Sequence, residues 1–168
     1  MYFILEIANL IVRYRRKNRE ITDFNEITEL LGRCQTIRLG MFDHEYPYVV
    51  PVSFGMEVKD GTAIVYFHGA KAGQKVWLLD EDSRVCVEAD ILDKIEETKT
   101  GITARYESVI GFGNAVQVAD KEKIRGLKLI NAHYGYPDHP LDVCGALENT
   151  AVYKVELKEL TGKRNLRQ

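Results

Sequence analysis

The tripeptide Lys59-Asp60-Gly61 joins two runs rich in β-branched and aromatic residues, "YPYVVPVSFGMEV" and "TAIVYFH". Asp-Gly between such runs is the signature of a type I′ hairpin, because both central turn positions need positive φ. An antiparallel pair is therefore set early in the chain, and the rest of the fold has to be built around it. More of the same pattern surrounds the hairpin. "TIRLGMF" precedes it through the polar "DHE", and "RVCVEA" follows. "RYESVIGFGNAVQV" reads as a long strand whose two glycines point to a bulge or a close backbone approach. "AVYKVELKEL" reads as a last strand, and "DKIEETKTG" as a polar loop.

Helical signals lie at the margins. Asp23 with Glu26 forms a capping-box pattern opening a helix through Phe24, Ile27, Leu30 and Leu31, with Gly32 placed to end it. "GQKVWLLD" predicts a short helix starting near Gly73. Asp120 is placed as the cap of a helix carrying Ile124, Leu127, Ile130 and Tyr134 at helical spacing. Hairpin-linked strands with marginal helices predict an α+β, antiparallel class, with about six strands curling into a small barrel.

Bulk composition narrows the function classes. A chain of 168 residues without repeats or linkers is most simply one domain. Its net charge of −2 argues against a nucleic-acid partner, whose phosphates need many cations. Arg13, Arg15, Arg16, Lys17 and Arg19 read as a solvated basic segment. Cys34, Cys86 and Cys144 are odd in number and lack CxxC spacing, which fits a reduced cytoplasmic chain rather than a disulfide framework or zinc site. "MYFILEIANLIVRY" has neither signal-peptide flanks nor the length of a membrane span. It is read as an N-terminal extension, residues 1–14, outside the main domain, residues 15–168.

Several chemical motifs fail on spacing. "GFGNAV" lacks the third glycine and the following helix of a dinucleotide fingerprint. Neither Ser53 nor Ser108 sits in a GxSxG elbow. "HYGYPDHP" with Cys144 has no recognised metal spacing, and Cys86 reads as a buried strand cysteine. "YFHGAKAGQK" is not a P-loop, since Gln74-Lys75-Val76 stands where Gly-Lys-Ser/Thr is required. It still combines a turn, a helix N-terminus near Gly73, and Lys71 and Lys75. Free amides, helix dipole and ammonium groups would favour a phosphate dianion there. A solvated lysine turn is the alternative.

The segments "YPYVVPVSFG", "IVYFHGAKAGQKVWLL", "RVCVEAD", "YESVIGFGNAVQVADKEK" and "ELTGKRN" occur in an order and spacing that resemble the pyridoxamine-5′-phosphate-oxidase-like flavoproteins. The resemblance is closest to the subgroup of 5-nitroimidazole-resistance proteins and runs from about Arg15 onward. It implies a six-stranded split β-barrel that forms a homodimer and binds FMN in clefts between the subunits. By the same resemblance Lys71, Gly73 and Lys75 hold the FMN phosphate. Val50, Pro51, Val52 and Ser53 meet the pyrimidine edge of the ring. Tyr66, Phe67 and His68 line the neighbouring strand, and Ser108 approaches from the long strand.

His68 is the candidate catalytic residue, for proton donation or substrate contact, because its side chain titrates near neutrality. The implied activity is an oxidoreductase reducing a small planar acceptor such as a nitroimidazole. The alternatives are a flavin-storage or sensor protein, a haem binder or a pyridoxamine-phosphate oxidase. Three features depart from the oxidases. Glu107 stands where many relatives carry Arg, Gln74-Lys75 replaces an Arg-Lys pair, and the C-terminal cationic motif of the vitamin B6 enzymes is missing.

Overall fold

The computed structural model describes residues 17–141 and 147–166. The expected N-terminal extension, Arg13, Arg15, Arg16 and Cys144 lie outside the described residues. A 3-10 turn, Lys17–Arg19, leads into the short strand β1 (Glu20–Ile21). The helix α1 (Phe24–Arg33) follows, and Asp23 caps it by accepting from the Glu26 amide at 2.9 Å. Gly32 does not end this helix. One further residue is helical, and the Cys34 amide closes the turn on Leu31 O at 3.1 Å. The Cys34 thiol also donates to Leu30 O, so the helix end is completed by a buried cysteine rather than by a glycine.

The sheet begins with β2 (Ile37–Met41), β3 (Tyr48–Val52), β4 (Phe54–Lys59) and β5 (Thr62–Ala70). Asp60 and Gly61 have φ of 50° and 75°, as a type I′ turn between β4 and β5 requires. After α2 (Gln74–Glu81) come β6 (Arg84–Thr98), β7 (Gly101–Val118), α3 (Asp120–His133), β8 (Thr150–Leu157) and β9 (Glu159–Arg164). Ala119 holds the N-cap position of α3, and Asp120, expected there, is instead its first residue with φ 47°.

All pairings are antiparallel, in the order β3-β2-β6-β7-β8-β5-β4, with β9 pairing both β7 and β1. The two end strands, β3 and β4, are consecutive in the chain and separated by Ser53 alone. One residue advances the chain only about 3.3–3.6 Å, so the C-terminal end of β3 meets the N-terminal end of β4 and the two edges of the sheet are joined at that corner. The sheet is thereby rolled, yet no ladder joins β3 to β4. Inward residues from both halves, among them Leu39, Val52, Phe54, Val65, Phe67, Val87, Val109 and Val155, form one buried cluster. This is an α+β architecture with a mainly antiparallel, rolled sheet.

Nine strands are present among the described residues, where six were expected. Two of the extra strands arise by division. The run "YPYVVPVSFGMEV" breaks at Ser53, and the last run breaks at Lys158, whose amide turns to Phe112 O at 2.9 Å. The third is the β1 pair with β9. The expected loop "DKIEETKTG" is also strand: β6 and β7 continue as an arm paired from Leu92–Tyr106 out to Thr98–Gly101, with Asp93 bulged out of register. Its shielded face carries charged residues and its open face the exposed Leu92, Ile95 and Ile102, so the usual apolar-in, polar-out alternation is missing. Cross-strand pairs such as Arg105–Glu96, 2.6 Å, hold it together instead.

The helix α3 packs on the outer face of β4, β5 and β8, over Tyr66, Val152 and Ile64. Gly55 permits this contact. A Cβ there would lie 2.3 Å from the Leu129 carbonyl carbon, so only a residue without a side chain lets helix and strand approach so closely.

Candidate functional site

The turn after β5 delivers Gly73 with φ 123°, a conformation open to glycine. Gly73 is the N-cap of α2 and makes no side-chain cap, and the first intrahelical bond runs from Trp77 N to Gly73 O, 3.1 Å. The amides of Gln74, Lys75 and Val76 precede that bond and point along the helix axis into the turn. Lys75 lies back over β5. Its Nζ is 5.4 Å from the centroid of Phe67, and it occupies the space that a Gly69 side chain would fill, 2.7 Å from the ideal Cβ. Among the described residues no carboxylate comes within ion-pair distance of this ammonium. Partial burial lowers its pKa from the ordinary lysine value. A half-buried cation without a counter-ion, beside uncapped helix amides, is an anion-receptive arrangement.

His68 stands on the outer face of β5, opposite Val152 in the ladder with β8. Solvent reaches part of the ring and protein shields the rest. That shielding, and secondarily the Lys75 charge, lowers its pKa, so the neutral imidazole is favoured at neutral pH. Phe54 and Phe67 are the last paired residues of β4 and β5. Ser53 therefore emerges one residue beyond that pair, at the His68 end of β5. Pro51, exposed and opposite Arg38, lacks an N–H, and its strand is the free edge of the sheet. Val50 and Val52 turn their side chains toward the core and leave only backbone at that edge.

The structure thus brings Ser53, His68, Gly73 and Lys75 to one end of the rolled sheet, next to the free β3 edge. Tyr66 and Phe67 contribute no lining side chains. Strand alternation puts Tyr66 beneath α3, where its hydroxyl donates to Glu57 at 3.1 Å, and Phe67 in the core, stacked on Tyr153 at 5.2 Å. Lys71 lines another groove, of about 640 Å³, with Gln117, Thr150 and the start of α3. Ser108 is on β7, three strands from β3. At about 4.8 Å per strand that is roughly 14 Å, too far to share a contact with Pro51 in one chain.

Asp43 was not singled out by the sequence, and Gln74 stood out only as a departure from the P-loop and from the oxidases' Arg-Lys pair. Gln74 Nε2 donates to Asp43 Oδ2 at 2.9 Å, and the His44 amide donates to Asp43 Oδ1 at 2.7 Å. His44 Nε2 lies 3.3 Å from Glu81 Oε2. The loop between β2 and β3 is thereby strapped onto α2. Beyond it a groove of about 720 Å³ opens, walled by Phe42, Tyr46, Pro47 and Phe112. No local pattern signals a contact between residues 31 apart in the chain. Among the described residues there is no cluster suited to a metal ion, and no helix long and apolar enough to cross a membrane.

Fold and site together define a class: an α+β chain with a rolled, split antiparallel sheet and an anion-receptive cradle at its free edge. The chain belongs to the pyridoxamine 5′-phosphate oxidase family, whose sequence pattern matches residues 23–164. A search among curated proteins found no match. Among solved structures, the chain is similar to a candidate 5-nitroimidazole antibiotic resistance protein from Bacteroides thetaiotaomicron. The two are 29% identical over 86% of this chain and 85% of that one, with a TM-score of 0.75. The flavocytochrome Anf3 from Azotobacter vinelandii shares the fold at 23% identity, covering 92% of this chain and 73% of that one, with a TM-score of 0.72. The FAD and heme binding protein from Mycobacterium smegmatis shares it at 18% identity, covering 89% and 76%, with a TM-score of 0.74.

Proposed function

We propose that this chain is an FMN-binding flavoprotein that reduces a small planar acceptor, with nitroimidazoles as the first class to test. The observation that carries the reading is the Lys75 ammonium, half-buried and without a carboxylate partner among the described residues, at the uncapped start of α2. The FMN phosphate belongs there, on the Gln74, Lys75 and Val76 amides and the Lys75 charge, with Gly73 leaving the approach clear. Lys71 adds long-range positive charge from the adjoining groove. The backbone of Val50 to Ser53, freed at the edge strand, supplies hydrogen bonds to the polar rim of the ring. The backbone of Tyr66 to His68 flanks it.

When bound, FMN supplies two-electron chemistry, and the protein contributes placement and electrostatics. His68, kept neutral by its surroundings, holds a lone pair and an N–H available to the acceptor side of the site. A second copy of the chain is the means by which Ser108 reaches the cofactor, since within one chain β7 lies three strands from the β3 edge and two from β5. The functional unit on this reading is a homodimer with the ligand between subunits. The family match and the B. thetaiotaomicron resistance protein support this choice of chemistry.

The deciding experiment is the visible spectrum of the purified protein before and after FMN is added, followed by anaerobic reduction and mixing with a nitroimidazole. Flavin absorbance that co-elutes with a dimer, and reoxidation well above the rate of free FMN, is the expected result. A colourless protein that ignores millimolar FMN would defeat the cofactor assignment. Reoxidation at the rate of free FMN would leave a flavin carrier without turnover.

A further inference from the structure

We infer that Asp43 restricts the cradle to a flavin mononucleotide by standing at the exit from the phosphate position, where a dinucleotide would have to continue. The inference rests on the flavin assignment proposed above and concerns which flavin the site accepts. Relatives of this fold include an FAD and heme binding protein and an FAD-binding protein, so the fold itself does not make that choice.

The geometry places the carboxylate firmly. Both Asp43 oxygens are engaged, Oδ2 by the side chain of Gln74, the first residue of α2, and Oδ1 by the His44 amide. The loop is pinned a second time where His44 meets Glu81 and packs against Trp77, ring centroids 6.0 Å apart. With two hydrogen bonds on the carboxylate and two His44 contacts on its loop, the charge cannot swing away from an incoming anion without breaking some of them.

Space is not what excludes the larger flavin. The groove past Asp43, about 720 Å³ with Phe42, Tyr46 and Phe112 on its walls, would hold an adenosine group. Its charge is what opposes entry. Asp43, Glu45 and Glu159 line it, against Lys158 and an Arg84 already committed to Asp82 at 2.5 Å. FMN ends in a phosphate near two negative charges, all of it at the Lys75 and helix-dipole position. The pyrophosphate of FAD divides the same charge between two phosphodiesters. One of them would lose the cation and meet the fixed carboxylate, a repulsion that works as specificity against the wrong ligand.

The test is calorimetric titration of the full chain with FMN and, separately, with FAD, for wild type, Asp43→Asn and Gln74→Ala. Wild type is expected to prefer FMN by about tenfold or more, and Asp43→Asn to bring the two flavins within about threefold by improving FAD. Gln74→Ala, which unlocks the carboxylate, should narrow the ratio in the same direction. A variant that has lost its fold reveals itself by weak FMN binding, and the other variant then decides. Equal affinity of wild type for both flavins, or an unchanged ratio in both folded variants, would overturn the role of Asp43 while leaving the cradle intact. Wild type that binds neither flavin would instead overturn the cradle and this inference with it.

Discussion

The guanidinium of Arg33, in the last turn of α1, donates to the carboxylate of Glu107 on β7 at 2.6 Å. Glu107 faces the interior of the rolled sheet and is buried, whereas more than half of the Arg33 side chain meets solvent. Glu107 is thus a structural anion that ties α1 across the end of the sheet. The acidic residue at this position has a partner in this chain and does not face the cradle.

Removing Arg33 leaves Glu107 buried without its counter-charge. Arg33→Met is expected to cost about 1–2 kcal/mol, below the usual range for a fully buried pair because Arg33 is solvent-screened. Arg33→Met with Glu107→Gln should recover most of that loss. Urea unfolding of the three variants measures the cycle, and a single variant as stable as wild type would mean that the pair contributes nothing.

Lys75→Ala is expected to weaken FMN binding by about 10- to 100-fold, the contribution of one charge-assisted contact to a phosphate. The fold should survive, since among the described residues the ammonium has no carboxylate to leave behind. Quenching of flavin fluorescence reads the affinity directly. An unchanged affinity would place the phosphate elsewhere.

His68 should titrate below the ordinary value of 6.5, because shielding from water and then the Lys75 charge disfavour the imidazolium. The unfolded chain binds this proton more readily, so the His68 contribution to stability rises with pH through that window. As pH falls below the ordinary histidine range the contribution is lost, and it levels off below the folded-state pKa. Lys75→Met should move the His68 midpoint upward in an NMR titration. A midpoint at or above 6.5 in wild type would contradict the shielding of the ring.

Gly55→Ala forces a methyl group to within 2.3 Å of the Leu129 backbone, where no side-chain rotation can relieve it. Overpacking of this kind costs about 1–3 kcal/mol or more, and here it would lift α3 from the sheet. Calorimetric melting should show a lowered Tm. Gly61→Ala, at a turn with open space around it, should show only the strain of its positive φ.

Much of this architecture is legible in the residues because its signals are local. Asp60-Gly61 demands a tight hairpin whatever surrounds it, Asp23 caps the helix it precedes, and the alternation of β2 declares which face is buried. The helix beginning after Gly73 and the two close-packed glycines of β7 belong to the same category. A Cβ at Gly113 would lie 2.4 Å from Glu156 O, the close approach that its sequence context announces. The arm from Leu92 to Arg105 escaped such reading because its shielded face carries the Glu96–Arg105 pair while Leu92, Ile95 and Ile102 are exposed, so polarity does not mark the buried side.

The site divides along the same line. That a turn with Gly73 and Lys75 suits an anion follows from the chemistry of those residues alone. Whether Tyr66 or Phe67 could touch a ligand did not. Strand parity sends one side chain under α3 and the other into the core, and which face is covered depends on where a helix more than fifty residues later comes to rest. Asp43 meets Gln74 for a similarly remote reason, since only the rolled sheet brings the β2–β3 loop onto α2, 31 residues further along the chain. Short-range sterics and hydrogen bonding act between neighbours and are written in order along the chain. Long-range contacts appear only once the sheet has rolled, because burial of a shared core, and no local preference, decides which distant surfaces meet.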